Sequence, residues 1–245
     1  MRILADAEIL RLWEQGQSQH PLDRLLTILL AGLPGKSRQE LADLSIGDRD
    51  RLLLDFRENH FGEMLQAYGV CPACRARLEF SLETAQLRLG EMPERNGEEF
   101  SLTLSGCELT YRLPTSRDLA AAAALADLQE ARELVLRRCL VGASQNGTPS
   151  SLEDLPEEVV SDLIEALSRQ DPQADISLAM HCPECGHLWE ILFDIGLFVW
   201  TDLMLAARRL VREVHILASA YGWSEAEILS LPPARRQAYL DLVLA

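Results

Sequence analysis

Two matching cysteine pairs constrain this sequence more than any other feature. Cys71-Pro72-Ala73-Cys74 and Cys182-Pro183-Glu184-Cys185 share a C-P-x-C form, and alternating apolar residues begin four positions after each pair, at Leu78 and at Trp189. A C-x-x-C turn directs two thiolates toward one point, and two such turns supply the tetrahedral sulfur cage that Zn²⁺ favours. The sequence therefore predicts one structural zinc per chain, with the ligands Cys71, Cys74, Cys182 and Cys185.

The spacing of the two pairs differs from that of a simple zinc ribbon. Residues 75–181 separate the two pairs, which is far longer than the spacing of about one or two dozen residues in a simple ribbon. Since the entropy of closing a loop grows only logarithmically with its length, a metal can still join the two turns. We therefore expect a split zinc ribbon with a helical insertion, which the metal staples to its flanks. Four thiolates leave no open position for water, so a catalytic zinc is not expected.

Alternatives to this ligand set remain open at the level of sequence. The four thiols could be buried or redox-poised without a metal, although two C-x-x-C copies exceed what disulfide exchange needs. His181 and His187 flank the second pair and could replace a cysteine or contact its sulfur. Cys107 lies in a predicted strand and Cys139 in a predicted helix, and we expect both to be small buried hydrophobic residues.

Hydrophobic periodicity predicts a mainly α protein with small antiparallel β segments, an α+β fold. The helical period of about 3.6 changes to 2 after residue 69 and returns at Ser116. We expect one composite domain with four regions: 1–69, N-terminal and helical; 70–115, with the first cysteine pair and a small sheet; 116–172, the helical insertion; and 173–245, with the second pair, a strand and the C-terminal helices.

Individual segments make the fold prediction specific. Leucines and other apolar residues at three- and four-residue steps predict helices, alternating residues predict strands, and Gly, Ser, Asn and Pro clusters predict connections. The predicted helices are a first one from Ile3 to the break at 16–21, a second opened by Pro21 and closed by 32–35 with its apolar stripe at 22–30, then about 48–67, 116–140, about 156–168 and about 197–221 ended by Gly222. A short helix with a capping box at Ser224 and Glu227 and a last one through Leu244 follow. The predicted strands are 78–82, 100–104 and 108–113 in one sheet, then 176–180 and 189–193, with residues 142–151 as a linker.

The charge balance argues against several classes of partner. The 245-residue chain carries 23 Lys and Arg against 38 Asp and Glu, a formal net charge of −15. Nucleic-acid affinity depends largely on Lys and Arg that displace counterions, so this charge argues against a nucleic-acid partner and equally against an anionic membrane surface. The first residues place acids, Asp6 and Glu8, where a signal peptide needs an unbroken apolar stretch, and no apolar run approaches the length of a membrane span, so we expect neither. We expect a cytoplasmic protein.

No catalytic motif supports an enzyme. The sequence contains no Walker loop, no G-x-G-x-x-G, no H-E-x-x-H and no G-x-S-x-G. Asp194 and Asp202 could pair for acid–base chemistry, but we expect acids of this kind to be solvated or to cap helices.

Several stretches together resemble the baseplate hub assembly chaperone family of T-even-type phages, whose bacterial relatives belong to contractile injection systems and phage-tail-like clusters. The resemblance covers most of the chain and is carried by residues 20–24 with 44–62, the first cysteine pair, residues 113–119, and the region from Cys182 through Trp223 to Tyr239.

The resemblance implies a cytoplasmic, non-enzymatic assembly factor that binds baseplate hub, spike or tape-measure proteins of a contractile tail, with the four cysteines as zinc ligands. Candidates for a partner surface are Tyr221, Trp223, Arg235 and Arg236, although Trp223 could instead pack the last two helices onto the core. Three other functions remain open: a structural baseplate subunit that stays in the finished phage-tail-like particle, a zinc-ribbon adaptor for nucleic acid, and an enzyme of unrecognised type.

Overall fold

The computed structural model describes residues 1–89 and 98–244 and combines helices, which make up 56% of the structure, with small antiparallel sheets. The helices are α1 (Asp6–Gly16), α2 (Pro21–Gly32), α3 (Arg38–Ala42), α4 (Ile46–Phe61), α5 (Ser116–Ala122), α6 (Leu128–Cys139), α7 (Glu157–Gln170), α8 (Ile195–Tyr221), α9 (Glu225–Ser230) and α10 (Pro233–Leu244). The strands are β1 (Met64–Val70), β2 (Arg77–Glu83), β3 (Glu99–Leu104), β4 (Cys107–Arg112), β5 (Leu140–Gln145), β6 (Thr148–Pro149), β7 (Ser177–His181) and β8 (Leu188–Leu192).

The main core lies between α1, α2, α4 and α8, which bury their apolar faces against one another. Pro21 occupies the first turn of α2, where its missing N–H is not needed, and the His20 ring accepts a hydrogen bond from the Leu22 N–H. Close approach of α8 to α2 depends on Gly196, because a Cβ there would lie 2.7 Å from Leu25 Cδ1. The helical stripes of the sequence therefore form this core as predicted.

A second core lies between the two cysteine pairs, in the part of the chain from β3 to α7, which we call the insertion from here on; it begins before the predicted boundary at residue 116 and contains a sheet as well as helices. Strands β3, β4, β5 and β6 form one antiparallel sheet in that order, and the other buried residues come from α6, from α7 and from Leu152 and Leu155 in the segment before α7. The sheet buries Cys107, Leu109 and Tyr111 of β4 against Leu163 of α7. The insertion thus has a core of its own, separate from the helical core.

Two hairpins, β1–β2 and β7–β8, form separate two-stranded antiparallel sheets. The predicted helix 48–67 was wrong beyond Phe61: α4 ends there because Gly62 adopts a φ of 88°, and Met64–Val70 continues as β1. The prediction that 78–82 shares a sheet with 100–104 was also wrong, since β2 pairs with β1 instead. Each cysteine pair therefore lies in the turn of its own hairpin.

Two further expectations for the insertion were wrong. The helix predicted from Ser116 to Leu140 is divided into α5 and α6, because the Asp127 side chain accepts a hydrogen bond from the Glu130 N–H and starts a new helix. The predicted linker is the β5–β6 hairpin, in which Asn146 and Gly147 both have positive φ, as a two-residue type I′ turn requires.

Two buried carboxylates fix the position of the insertion and of the helices within it. Asp171, just after α7, accepts a hydrogen bond of 2.9 Å from the Gly47 N–H in the first turn of α4. Asp118 of α5 is fully buried and accepts from Arg112 of β4 and Arg138 of α6, which holds its pKa well below the usual value against the desolvation that would raise it. The first of these contacts bridges the two cores, and the second fixes α5 and α6 to the sheet.

The C-terminal helices follow the prediction closely. α8 ends at Tyr221, where Gly222 takes the left-handed conformation with a φ of 69°, and Ser224 forms the expected capping box with Glu227. Although α8 has 27 residues, neither it nor another helix of the described ranges is both long and apolar enough to span a membrane.

Candidate metal centre

The four predicted cysteines come together in one cluster. The Sγ atoms of Cys71, Cys74, Cys182 and Cys185 all lie within 4.8 Å of one another. Cys71 Sγ is 3.7 Å from Cys185 Sγ, and Cys74 Sγ is 3.6 Å from Cys182 Sγ, so each hairpin contributes to both short distances. We call this set the four-sulfur cluster.

The two hairpin turns that carry the four-sulfur cluster have the same backbone structure. The Cys71 N–H donates to the Ala76 carbonyl at 2.9 Å, and the Cys182 N–H donates to the His187 carbonyl at the same distance. Arg75 and Gly186 occupy equivalent positions and both adopt positive φ, 65° and 73°. The internal repeat seen in the sequence is therefore a repeat in three dimensions.

Backbone N–H groups point at the sulfur atoms. Loss of solvent raises the pKa of Cys71, but hydrogen bonds from the N–H groups of Cys74 and Ala73 outweigh it and bring that pKa to about 7. The His187 N–H acts in the same direction on Cys185, yet the neighbouring thiols and loss of solvent prevail and raise its pKa to about 12. Without a cation the cluster therefore cannot hold four thiolates at neutral pH, since like charges this close oppose one another.

The cluster geometry fits a tetrahedral metal. Zn–S bonds of about 2.3 Å place tetrahedral sulfurs about 3.8 Å apart, close to the two short distances. All four donors are sulfur, which selects soft or borderline cations such as Zn²⁺ over Mg²⁺ or Ca²⁺. Cys71 and Cys182 are buried whereas Cys74 and Cys185 are exposed, so the site lies at the surface with one ligand of each pair directed inward.

The histidines and the other cysteines lie outside the cluster. Within residues 1–89 and 98–244 the only metal-compatible group of side chains is the four-sulfur cluster. The His187 ring stacks on Trp189 with centroids 5.9 Å apart, and His181 is exposed on β7. Cys107 and Cys139 are fully buried, as expected for small hydrophobic residues, and burial raises the pKa of Cys139 to about 12.

The candidate partner residues divide between surface and interior. Tyr221 and Trp223 stack with ring centroids 4.7 Å apart, and Tyr239 packs edge-on against both, which fits the alternative of Trp223 as a packing residue. Arg235 is exposed. Arg236 is only 2% exposed and its guanidinium contacts Asp6 and Glu213 at 2.6 and 2.5 Å. The Arg236 side chain therefore links α10 to α1 and α8. Nothing in the sequence distinguished this buried arginine from the exposed Arg235.

The two carboxylates considered for acid–base chemistry do not face each other as a pair. Asp194 caps α8 by accepting from the Leu197 N–H, and Asp202 accepts from Arg57 at 3.0 Å. The Arg57 guanidinium also donates to the carbonyls of Gly62 and Met64, where α4 gives way to β1. Sequence reasoning missed this buried arginine, because nothing in the pattern around residue 57 indicates that α4 ends four residues later.

The family model covers most of the chain and ends within the first turns of α8. The family model described as "T4 bacteriophage base plate protein" matches residues 4–199, a range that includes all four cysteines of the cluster and the core of the insertion, whereas the main core extends beyond it to Leu203, Ala207 and Leu210. The searches of curated proteins and of solved structures found no match.

Proposed function

This chain belongs to the T4 bacteriophage base plate protein family, and we propose that it is a non-enzymatic assembly factor, a chaperone, for the baseplate hub of a contractile tail. It acts in the cytoplasm by binding hub, spike or tape-measure proteins until they are incorporated. The observation that carries the proposal is the family match over residues 4–199 of the 245-residue chain. The net charge of −15 supports it, because an acidic surface keeps a protein soluble while it holds an apolar client.

One structural zinc per chain is part of this proposal. The support is the four-sulfur cluster, whose distances and donor set suit Zn²⁺. Because its ligands come from both hairpins, the ion would join residues at the two ends of the insertion. A site closed by four protein ligands stabilises a fold and performs no hydrolysis.

A structural baseplate subunit is the second candidate. The family description itself names a base plate protein, which favours a component of the particle. The two candidates differ in where the chain is found after assembly is complete.

The deciding experiment follows the tagged full-length chain during tail assembly. The native gene cluster is expressed with and without this chain, and soluble complexes and purified particles are analysed by quantitative mass spectrometry. A chaperone is found with hub or tape-measure proteins in the soluble fraction, is absent from particles, and is required for their formation. Stoichiometric presence in particles identifies a subunit, and tails that form normally without the chain contradict both candidates.

The zinc is tested by metal analysis of purified variants. Cys74→Ser and Cys185→Ser are expected to lose the metal and to destabilise the whole fold, because metal binding contributes to folding free energy. Cys107→Ala and Cys139→Ala are the matched controls and keep one zinc per chain. Wild-type stability in a metal-free variant, or loss of metal in a control, would show that the ligand assignment is wrong.

A further inference from the structure

Helix α8 presents one strip of side chains away from the core. Its members recur at three- and four-residue steps, which places them on one face of the helix. Three of the aliphatic members are well exposed: Leu197 at 62%, Leu205 at 54% and Val211 at 46%. The outward strip consists of Leu197, Thr201, Met204, Leu205, Arg208, Val211, Arg212, His215 and Ser219.

The outward strip is apolar and basic and contains no acidic residue. Arg208 and Arg212 are exposed one turn apart, and across the described parts of the chain no ion pair reaches either guanidinium. The acidic residues of α8 lie beside the strip and form ion pairs with other residues: Asp202 pairs with Arg57, and Glu213 pairs with Arg236. In a chain with 38 acidic residues, this strip differs from the general character of the surface.

Charge complementarity selects the occupant of the outward strip. Leu197, Leu205 and Val211 recur over about 21 Å of the helix, so the strip presents a line of exposed aliphatic side chains to a partner. An amphipathic helix could place its apolar residues on Leu205 and Val211 and its carboxylates on Arg208 and Arg212, whose planar guanidinium groups bind carboxylates in pairs of hydrogen bonds.

We propose that the outward strip docks an acidic amphipathic helix of a partner protein. The net charge of −15 disfavours binding of an acidic helix to the surface as a whole, whereas the charged side chains of the outward strip itself are the two arginines, and salt screens more distant exposed charges beyond about 8 Å. A second copy of this chain fits less well: a twofold contact between two such strips would set arginine against arginine.

This inference deepens the proposed assembly role, on which it rests for the nature of the partner as a tail protein. Apart from Leu197 the strip lies beyond residue 199, where the family match ends. The surface is therefore a feature of this chain that the family match does not cover.

The test uses the full-length, metal-loaded chain and synthetic helical peptides of about 20 residues, long enough to form helix. The first peptide is an amphipathic helix with leucines on one face and glutamates on the other. The second has lysine in place of each glutamate, and the third has the residues of the first in scrambled order. Binding is followed by fluorescence anisotropy at two salt concentrations. The glutamate peptide is expected to bind best, and the variant R208E/R212E to lose about tenfold or more in affinity for it. The control variant R77E/R132E changes the net charge equally at exposed arginines elsewhere and is expected to bind within about twofold of wild type.

Three results would overturn the inference. Equal binding of the glutamate and lysine peptides would remove the charge argument, and equal weakening in both double variants would indicate general electrostatics. Self-association that disappears only in R208E/R212E, without peptide binding, would assign the strip to a second copy. The proposed function fails separately, through tails that assemble without the chain, so the two failures are distinguishable.

Discussion

Substitution of Gly47 by alanine tests how the insertion is held to the helical core. A Cβ at this position would lie 1.8 Å from Oδ1 and 2.8 Å from Cγ of Asp171, and 3.0 Å from Cβ of Gln173. Since no such contact can be accommodated, the carboxylate must leave the Gly47 N–H, which lies in a buried hydrogen bond of 2.9 Å.

The expected loss follows from three contributions. A hydrogen bond to a charged group contributes about 1.5–3 kcal/mol, and a carboxylate at a helix N-terminus adds about 0.3–1 kcal/mol. Alanine in place of glycine returns about 1 kcal/mol of helix propensity. Gly47→Ala is therefore expected to lower the free energy of unfolding by about 2 kcal/mol, or the melting temperature by about 4–8 °C for a chain of this size.

The assay is thermal and denaturant unfolding of the metal-loaded protein, with hydrogen exchange to locate the change. Gly35→Ala is the matched control, because nothing lies within 4 Å of its added Cβ, and it is expected to stay within about 0.5 kcal/mol of wild type. In a double-mutant cycle, Asp171→Ala should add little to Gly47→Ala, since both remove the same contact. Wild-type stability of Gly47→Ala, or full additivity with Asp171→Ala, would refute the reasoning.

Three further predictions concern single side chains. Arg236→Ala leaves Asp6 and Glu213 without their buried partner, so it is expected to lower the free energy of unfolding by about 3–5 kcal/mol in denaturant unfolding. The neighbouring Arg235→Ala is the control and is expected to stay within about 0.5 kcal/mol of wild type. Equal effects of the two substitutions would mean that the buried position of Arg236 does not contribute to stability. Gly186→Ala is expected to lower the free energy of unfolding by about 1–2 kcal/mol through the positive φ alone, because its Cβ would meet nothing within 4 Å. Arg75→Gly at the equivalent position, which also has positive φ, is expected to stabilise the protein. Melting curves at constant zinc content check both, and a Gly186→Ala variant as stable as wild type would contradict the assignment of backbone strain. Asp118→Ala removes the carboxylate that Arg112 and Arg138 share, so it is expected to lower the free energy of unfolding by about 3–5 kcal/mol. Hydrogen exchange of the backbone amides is expected to increase most in α5 and α6. Unchanged protection of these amides would count against the role of Asp118.

The sequence predicted best what depends on local periodicity and on spacing. The stripe of α2, the long α8 with Gly222 at its end, the Ser224 capping box and the clustering of the four cysteines were all confirmed, since each rests on a helical repeat, a cap or a repeated motif. Helix boundaries in the N-terminal region were less accessible. Met64 and Leu65 continue the apolar rhythm of α4, and only the positive φ of Gly62 and the pairing with β2 make them strand residues.

Long-range contacts account for most of the remaining differences. The alanines between Ala120 and Ala126 have high helix propensity and favour one continuous helix. In the structure the helix is interrupted before Asp127, which caps α6. The Asn146-Gly147 dipeptide was a hairpin signal within a segment that its composition otherwise marked as a linker. The burial of Arg236 depends on acids 230 and 23 positions away, which no local pattern reports.

The division of the four-sulfur cluster between distant segments has a consequence for biosynthesis. Cys74 and Cys182 are 108 positions apart, so at about 5–20 residues per second a ribosome needs roughly 5–20 s to travel from one to the other. During that interval the cluster has only two of its four cysteines, both in the first hairpin, while the insertion, which has its own core, is already being synthesised. Closure of the cluster is thus a late event that only a chain translated past Cys185 can complete, and an interrupted translation product is left with an open pair of thiols.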